Sequence, residues 1–302
     1  MRSLLGLKYV DVIARAGSIR QAAETLAITP SALNRRLLAL EEELGVQIFE
    51  RLPRGVRPNA AGEILIHHIR NQISDLERVR SQIADLSGVR RGHVAIACSQ
   101  ALLPYFLPQQ IHDYRRDHPA VTFGVFPRDR AQAEQALSEF TADLALVFEP
   151  VRLAEIQTLM TVRQPIHAVM ARDHPLARRK TVRLRECLDH PLALPSPPYG
   201  VRTLLEAAAA RIGRPLEPAI QSDSFEFLTM CAGHAGLVSF QIEIGLPAQG
   251  TEGALTSRPI DTRDVPSGVL HLGQLRGRAL PVAAARFADQ LSRALFDRFE
   301  SV

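Results

Sequence analysis

The chain has 302 residues, of which 46% are hydrophobic and 23% are charged, so it is long enough for two or three soluble domains. No apolar run approaches the ~18 residues of a membrane span, and Lys8 and Asp11 interrupt the apolar N-terminal stretch before a signal peptide could form, so we expect a cytoplasmic protein without membrane contact. The net charge of +4 lies in residues 1–91, which favours a polyanion-binding N-terminal part, although random surface charge would also produce so small an excess.

The first 26 residues predict two short helices. Apolar residues at three- and four-residue spacing indicate an amphipathic helix over residues 4–15, which Gly17 ends. Ser18 and Gln21 fit a capping box at the start of a second helix, residues 19–26. The side chains that this second helix is expected to bury are Ala22, Ala23 and Leu26.

A third helix is predicted after a short turn. Thr29 is a good N-cap, Pro30 suits the first helical position, where its missing N–H costs nothing, and Gly45 is a stop signal. The apolar stripe of this helix comprises Leu33, Leu37, Leu40 and Leu44, and the opposite face of its first turns carries Ser31, Asn34 and Arg35.

Two short helices joined by a tight turn, the second with polar residues at its start, are typical of a helix-turn-helix. In that motif the second helix enters the major groove, where Arg can bridge guanine and Asn can bridge adenine by paired hydrogen bonds. The Ser31 hydroxyl and the free N–H groups at the helix start suit a phosphate. We therefore interpret Asn34 and Arg35 as base-reading residues.

A basic hairpin is predicted next. Arg51, Arg54 and Arg57 fall within seven residues with no acidic residue among them, and Pro53 and Gly55 bracket a turn. Beside a helix-turn-helix, this pattern favours a wing that lies along the DNA backbone or minor groove, whereas a solvated loop is the alternative.

A long helix follows, capped by Asn59 and ending near Leu86. Its apolar residues are close to a heptad seam, with one slip near Val79, which favours pairing with the same helix of a second copy over packing on its own domain. The seam comprises Ile66, Ile69, Ile73, Leu76, Val79, Ile83 and Leu86. His67 and His68 are expected at the surface, and residues 88–92 are expected to form a hinge.

Residues 93–302 alternate strand and helix patterns, which predicts an α/β architecture with a largely parallel sheet and two subdomains. The predicted strands are HVAIAC, VTFGVF, DLALVF, PIHAVMA, LALP, AIQSD, GLVSF and VLHLGQL. The predicted helices are ALLPYFLPQQIHDYRRDHP, RAQAEQALSEF, a helix around RTLLEAAAARIG, one from Ser224 and one from Val282 to about Phe299.

Ligands of such sheets bind beyond the carboxyl ends of the strands, which brings several polar and aromatic residues to a common cleft. These residues are Ser99, Gln100, Arg128, Phe148, Ser196 and Gln241. We find no nucleophile elbow, phosphate loop or zinc motif, and the histidines lack metal spacing. Asp143 is expected to be a strand-start cap. Cys98, Cys187 and Cys231 are far apart, which favours buried inert thiols over a redox-sensing pair.

The first 60 residues closely resemble LysR-type transcriptional regulators. The resemblance is carried by LKYVDVIARAGSIRQAAETLAITPSALNRRLLALEEELGVQIFER and then RPNAAGE, with Ala22-Ala23, Leu40-Glu41, Leu44-Gly45 and Phe49-Glu50-Arg51 at the family's spacing. The rest of the chain fits the family more loosely, through the long helix, DLAL and CAGHAGLVSF.

The resemblance implies a winged helix-turn-helix over residues 1–58, a dimerising linker helix over 59–88 and a periplasmic-binding-protein-like α/β effector domain over 92–302. Its two subdomains are expected at about 92–161 plus 267–302, and at 162–266. It further implies double-stranded promoter DNA and a small-molecule effector as partners, association into dimers or tetramers, and RNA polymerase as a partner if the protein is an activator. No enzymatic activity, cofactor or metal is expected.

By the same resemblance, the DNA-binding positions are Ser18, Thr29, Pro30, Ser31, Asn34, Arg35, Arg51 and Arg54, and the effector-binding positions are Ser99, Gln100, Arg128, Phe148 and Ser196. Asn34 replaces the family's common Ser, which affects base preference, and RPNAAG replaces the usual Leu-Thr before the linker helix. Arg128 suits an anionic effector, but it equally suits a surface charge. The competing hypotheses are an enzyme with an N-terminal interaction module and a nucleoid-type DNA binder without sequence preference.

Overall fold

The computed structural model describes residues 2–86, 91–151, 155–234, 236–247 and 253–300. The chain divides into two compact units, Met1–Arg80 and Ser81–Val302. Of the hinge expected at residues 88–92, residues 88–90 lie outside the described ranges. Within those ranges, no helix has the length and apolar character that crossing a bilayer requires.

The first unit is built from helices and one hairpin. The helices are α1 (Arg2–Ala16), α2 (Ile19–Thr25), α3 (Pro30–Leu44) and α4 (Ala60–Leu86), and the strands are β1 (Phe49–Leu52) and β2 (Gly55–Pro58). The two strands pair antiparallel, so the unit is a helix-turn-helix followed by a wing, as the sequence predicts. The Asn59 side chain accepts a hydrogen bond from the N–H of Gly62 at 2.9 Å and so caps α4 as expected.

Small residues allow the helices of this unit to pack closely. Ala22 and Ala23 of α2 are fully buried, as predicted, and Leu33 of α3 is buried with them. Leu44 was predicted on the same apolar stripe, but it is 44% exposed, because it lies in the last turn of α3 beyond the core. Leu26 is half-buried against the core.

The start of α4 belongs to the core of the first unit. Ile66 and Ile69 are buried there, and Arg70 donates to the half-buried ion pair of Asp11 and Arg15, at 2.7 Å from the Asp11 carboxylate. The expectation of a seam facing a second copy along all of α4 is therefore wrong for its first turns, which pack on their own domain.

The second unit contains two five-stranded sheets. One has the order β4-β3-β5-β12-β6 and comprises β3 (Gly92–Cys98), β4 (Val121–Pro127), β5 (Leu144–Phe148), β6 (Ile156–Gln164) and β12 (Gly268–Leu275). The other has the order β11-β7-β10-β8-β9 and comprises β7 (Ile166–Ala171), β8 (Leu192–Pro195), β9 (Pro218–Ser222), β10 (Val238–Ile242) and β11 (Leu255–Pro259). The described helices of this unit are α5 (Phe106–Asp117), α6 (Arg130–Ser138), α7 (Leu184–Cys187), α8 (Gly200–Arg211), α9 (Phe225–Cys231) and α10 (Val282–Phe299).

The prediction of a largely parallel sheet holds for strand direction but not for every pairing. In each sheet four strands run in the same direction and one runs against them, β12 in the first sheet and β7 in the second. Two of the four strand pairings in each sheet are therefore antiparallel. The chain passes between the sheets at residue 165 and again between β11 and β12. At the first passage Gln164 is fully buried, and its side-chain oxygen accepts from the N–H of Ile244 at 2.8 Å.

The helix predicted from Ala101 begins later. Pro104 lacks an N–H and cannot donate within a helix, and Tyr105 has a non-helical φ of -131°. A short 3-10 helix at Gln100–Leu102 therefore comes first, and α5 starts at Phe106. The strands β6 and β11 and the short helix α7 were not predicted.

Candidate nucleic-acid interface and ligand cleft

The start of α3 has the predicted cap. The Thr29 hydroxyl accepts a hydrogen bond from the N–H of Ala32 at 3.2 Å, and Pro30 occupies the first turn. Ser31 is exposed and lies 3.2 Å from the Thr29 hydroxyl. Pro30 has no N–H, and the N–H groups of Ala32 and Leu33 are bonded to Thr29, so the first turn of α3 presents two hydroxyl groups and the backbone N–H of Ser31. This arrangement suits a phosphate oxygen.

Arg35 and Asn34 differ in their surroundings. Arg35 is exposed and makes no hydrogen bond or ion pair with another described residue. Asn34 is half-buried, and its side-chain oxygen accepts from the Arg51 guanidinium of β1 at 3.3 Å. The structure thus links two of the predicted positions, one on α3 and one on the wing.

The three wing arginines are not equivalent. Arg54 lies in the exposed turn of the hairpin and has no partner among the described residues. Arg57 faces Glu50 across the hairpin at 2.7 Å, and this hydrogen bond raises the pKa of the Arg57 guanidinium above its ordinary value. The basic run has no acid within it, but Glu50 just before it neutralises Arg57.

The wing is attached to the turn between α1 and α2. The N–H of Val56 donates to the carbonyl of Gly17 at 2.9 Å. Gly55 has a φ of 137°, and a Cβ there would lie 2.2 Å from the same carbonyl oxygen, so glycine is required for this approach. Glu41 supports the base of the wing by accepting from the N–H of Ile48 at 2.8 Å, a role that sequence reasoning missed.

Ser18 lies at the N-cap of α2, as expected, but its side chain makes no capping hydrogen bond. The predicted capping box is therefore wrong. The Cα of Ser18 would lie 4.0 Å from a Cβ at Gly55, so Ser18 sits beside the wing. Its hydroxyl remains available to a ligand at the start of α2.

The second half of α4 exposes an apolar row. Leu76 is 36% exposed and Val79 is 41% exposed, whereas Ile69, two turns before Leu76, is fully buried. Ile83 is 59% exposed, and nothing is described of the Leu86 side chain. His67 and His68 are exposed, as expected.

In the second unit, three of the five predicted effector residues meet at the carboxyl ends of β3, β4 and β5. Ser99, Arg128 and Phe148 line a small cleft of about 20 Å³ together with Arg130, Tyr199 and Phe225. Phe148 is nearly fully buried, because the backbone of Gly200 and Gly268 packs directly on its ring. A Cβ at either glycine would lie within 2.9 Å of a ring atom. This ring therefore forms the floor of the cleft.

Gln100 connects the two sheets across the cleft. Its side-chain nitrogen donates to the carbonyl of Asp223 at 2.6 Å and to the Tyr199 hydroxyl at 3.2 Å, and its oxygen accepts from the N–H of Phe225 at 3.2 Å. Ser196 does not line the cleft, and its N–H is bonded to the carbonyl of Ser222 at 3.1 Å. Gln241 lies elsewhere, in a larger cavity.

The two arginines of the cleft are held differently. Arg128 is exposed, donates to the carbonyl of Pro127 at 3.1 Å and lies over the Phe126 ring. Arg130, at the start of α6, donates through Nη1 to the carbonyl of Glu149 at 2.9 Å, while its buried Nε has no hydrogen-bond partner among the described residues. Sequence reasoning missed Arg130, and its place beside the capping residue Asp129 was the available signal.

Two cysteines and one aspartate of the second unit are buried or paired in ways that indicate structural roles. Burial raises the pKa of Cys98 and of Cys187 to about 12, which keeps both thiols neutral and unreactive. Asp143 accepts from the N–H of Ala95 at 2.9 Å and pairs with the buried Arg278 at 2.7 Å, a structural role of the kind expected. The described ranges contain no group of three or more potential metal ligands.

Two family profiles match the chain. The LysR substrate binding domain matches residues 87–295, and the Bacterial regulatory helix-turn-helix protein, lysR family, matches residues 4–63. The chain belongs to the LysR family of transcriptional regulators. This family consists of regulators rather than enzymes.

Curated relatives of this LysR-family protein include the HTH-type transcriptional regulator CbbR of Xanthobacter flavus, 30% identical over 72% of this chain and 65% of that protein. The RuBisCO operon transcriptional regulator of Allochromatium vinosum is 26% identical over 72% of each chain. The Escherichia coli K12 regulator YbhD is 28% identical, and the alignment again spans 65% of that relative's length.

Solved structures of full-length LysR-family proteins show the same fold. A full-length OxyR variant from Pseudomonas aeruginosa has a TM-score of 0.70 at 20% identity and covers 97% of this chain and 94% of its own. Full-length CbnR in complex with its target DNA has a TM-score of 0.60 at 18% identity, covering 96% and 99%. The predicted fold class is confirmed: an N-terminal winged helix-turn-helix, a long linker helix and a C-terminal two-subdomain α/β domain like the periplasmic binding proteins.

Proposed function

We propose that this protein is a ligand-responsive transcriptional regulator that binds a partly palindromic promoter site and responds to a small-molecule effector. One observation carries the proposal: Arg35, an exposed arginine with no partner among the described residues, stands at the start of a capped helix in a winged helix-turn-helix. An arginine in that place can donate two hydrogen bonds to one guanine in the major groove.

In this proposal Arg35 and Asn34 contact base edges, and the remaining positions hold the DNA backbone. Residues proposed to contact the backbone are Ser18, Thr29, Pro30, Ser31, Arg51 and Arg54. Support comes from the exposed hydroxyls and the Ser31 N–H at the start of α3, and from Arg54 in the wing, which has no partner in the part of the chain that the structure describes.

We propose the domain division expected from the sequence, with residues 1–58 reading DNA, 59–88 joining two copies and 92–302 binding the effector. The exposed row at Leu76 and Val79 supports self-association into dimers or tetramers. RNA polymerase would be a partner if the protein activates transcription, and a cytoplasmic location belongs to the same proposal.

We place the effector in the cleft at Ser99, Gln100, Arg128 and Phe148, and we propose that Ser196, which does not line the cleft in this arrangement, contacts the effector once the cleft opens. An anionic effector would accept from the Nε of Arg130, which has no hydrogen-bond partner within the described ranges, and this adds Arg130 to the proposed site. The cleft holds about 20 Å³, so binding requires the two subdomains to separate, and the Gln100 hydrogen bonds would have to break. The effector would thereby favour one placement of the subdomains over another.

The test is a specificity ratio. Affinity for a DNA fragment enriched from genomic DNA is compared with affinity for a scrambled fragment at near-physiological salt. We expect a ratio of about 10³ or more, the lower end for specific regulators. A ratio near one would contradict the proposal and favour the nucleoid-type binder.

A further inference from the structure

We propose that the second unit carries a second small-molecule site, separate from the cleft, for an uncharged and mostly apolar ligand with one hydrogen-bond acceptor. The site is a cavity of about 500 Å³ between the 3-10 helix at Gln100–Leu102, helix α9 and strands β7, β10 and β11. This volume falls within the roughly 300–1,000 Å³ that small-molecule sites occupy.

The walls of this cavity are mainly apolar and aromatic. Val169 is buried in β7 and Phe225 is buried at the start of α9, so both present fixed surfaces. Tyr105 and Met230 are exposed enough to pack against a guest, at 44% and 62%. The apolar and aromatic residues of the lining include Leu103, Tyr105, Val169, Phe225, Met230 and Leu255. Such a surface gains free energy when it covers an apolar molecule.

Gln241 supplies the polar contact. This side chain is 4% exposed and lines the cavity, and its oxygen accepts from the N–H of Ile242 at 2.9 Å. Because the Ile242 N–H requires an acceptor, the oxygen of the Gln241 amide must point toward it. The NH₂ group of the amide therefore points away from Ile242. The NH₂ group makes no hydrogen bond with any residue in the described part of the chain. This NH₂ group therefore keeps its donor capacity for the cavity that Gln241 lines, where a ligand acceptor can bind it.

The position of Gln241 depends on Gly245. A Cβ at Gly245 would lie 2.7 Å from the Gln241 side-chain carbon and 3.0 Å from the carbonyl of Ala101. The amide therefore lies directly against the glycine backbone, where it cannot rotate away from the cavity without losing its bond to Ile242.

The charge of the cavity selects against anions. Among its described lining residues Glu226 is the one charged side chain, and no arginine, lysine or histidine is present. The cleft, in contrast, has Arg128 and Arg130. An anionic ligand that entered this cavity would lose its hydration without gaining a cationic partner from the described lining, which costs free energy. The two sites therefore favour different ligands.

The two sites share a wall. Phe225 lines both of them, and its N–H is held by Gln100, which also lines the cavity. A ligand in the cavity would therefore stabilise the closed arrangement that Gln100 maintains. This coupling rests on the proposed function of the cleft, whereas binding in the cavity does not.

The test uses the neutral fluorophore 6-propionyl-2-dimethylaminonaphthalene, whose ketone is an acceptor and whose emission reports an apolar environment. Thr229→Trp fills the cavity, and we expect it to weaken probe binding by about tenfold or more. Phe227→Trp is the matched control, because Phe227 is on the same helix, is 51% exposed and does not line the cavity. It should leave affinity unchanged.

A matched pair of competitors tests the charge. Neutral 2-acetylnaphthalene should displace the probe at a concentration about tenfold or more below that needed for the 2-naphthoate anion, since the described lining of the cavity contains no cationic side chain. Equal competition by the two compounds, or equal effects of Thr229→Trp and Phe227→Trp, would overturn the proposal.

Gln241→Glu tests the donor without depending on the larger substitution. At about pH 8 an ionised glutamate still accepts from the Ile242 N–H but no longer donates. We expect weaker binding of 2-acetylnaphthalene and unchanged binding of 2-ethylnaphthalene, which has no acceptor. Equal effects on both compounds would remove the assigned role of Gln241. Specific DNA binding, measured on the same samples, separates failure of this site from failure of the proposed function.

Discussion

The arginines of the first unit are distinguished by their partners. Arg36 donates to the Tyr9 hydroxyl and lies over its ring, and Arg57 pairs with Glu50. Arg51 donates to Asn34. Arg35, in contrast, has no partner within the described ranges, so its guanidinium can form hydrogen bonds with DNA without first breaking others.

Arg35→Ala should weaken binding to the specific DNA site by ~1–3 kcal/mol and relax the preference at one base pair, because a bidentate contact would be lost. Fluorescence anisotropy with a set of single-base variants of the site measures both effects. Arg57→Ala is the control, since Arg57 is already neutralised by Glu50, and a smaller loss is expected. Unchanged base preference in Arg35→Ala would remove it from the reading positions.

The buried ion pair of Asp143 and Arg278 is expected to contribute strongly to the free energy of unfolding. Asp143→Ala leaves the Arg278 guanidinium buried without its counter-charge and the Ala95 N–H without its acceptor, so we expect unfolding free energy to fall by ~3–5 kcal/mol. Urea unfolding measures this change. Asp189→Ala breaks the exposed pair with Arg214 and should cost only ~0–1 kcal/mol. Equal losses in the two variants would contradict this account.

The lowered pKa of His167 is expected to make the free energy of unfolding depend on pH. Burial lowers the pKa of His167 from 6.5 to about 4, so the unfolded chain binds the proton more tightly than the folded protein does. The contribution of His167 to stability is complete above pH 6.5 and is lost as the pH falls toward 4, at up to about 1.4 kcal/mol per pH unit.

His167→Gln should reduce the slope of unfolding free energy against pH between pH 6.5 and 4, as measured by urea unfolding at several pH values. The control is His112→Gln on the exposed side of α5. A slope identical to that of the unmodified protein would show that His167 does not carry this dependence.

At the scale of elements, α4 has two parts with different surroundings. Its first turns pack on their own unit through Ile66 and Ile69, and its second half leaves Leu76 and Val79 exposed. Leu76→Glu combined with Val79→Glu should raise the dissociation constant of self-association by about tenfold or more, because each charge would be desolvated. Sedimentation equilibrium measures this, with Gln82→Glu as the control. Unchanged association would place the interface elsewhere.

Elements with local signals were predicted from the sequence. The cap at Thr29, Pro30 and the stop at Gly45 define α3, and the structure agrees at both ends. Strand β6 was missed because its burial does not alternate: Ile156 and Val162 are buried with exposed residues between them. Strand β11, LTSRP, is polar and partly buried throughout, so it has no apolar pattern. The hydrophobic period carries information only when one face is buried.

Only those residues of the cleft that have a local sequence signal were predicted. Ser99 and Phe148 each follow or end an apolar strand, which can be recognised locally. The link between Gln100 and Phe225 joins residues 125 positions apart and depends on the crossing between two sheets. Sequence reasoning also omitted Arg130, since an arginine at a helix start is unremarkable until its buried Nε is located.

At the scale of the whole molecule, the chain combines a winged helix-turn-helix unit, with the excess of basic residues in residues 1–91, and α/β residues 92–302 without net charge. In the α/β unit the two sheets are connected at residue 165 and between β11 and β12, and Gln100 bridges them across the cleft. Two connections and a few bridging hydrogen bonds are compatible with a closing motion, so ligand binding can shift the balance between arrangements.

The most direct test of the central claim is a footprint of the full-length protein on the genomic fragment that it enriches, at near-physiological salt. The account predicts a protected site with two-fold related halves, one helical turn or a small multiple apart, about 10–10.5 base pairs per turn. Diffuse, salt-sensitive protection, together with no enriched fragment, would contradict the account and show that α3 contacts only the DNA backbone.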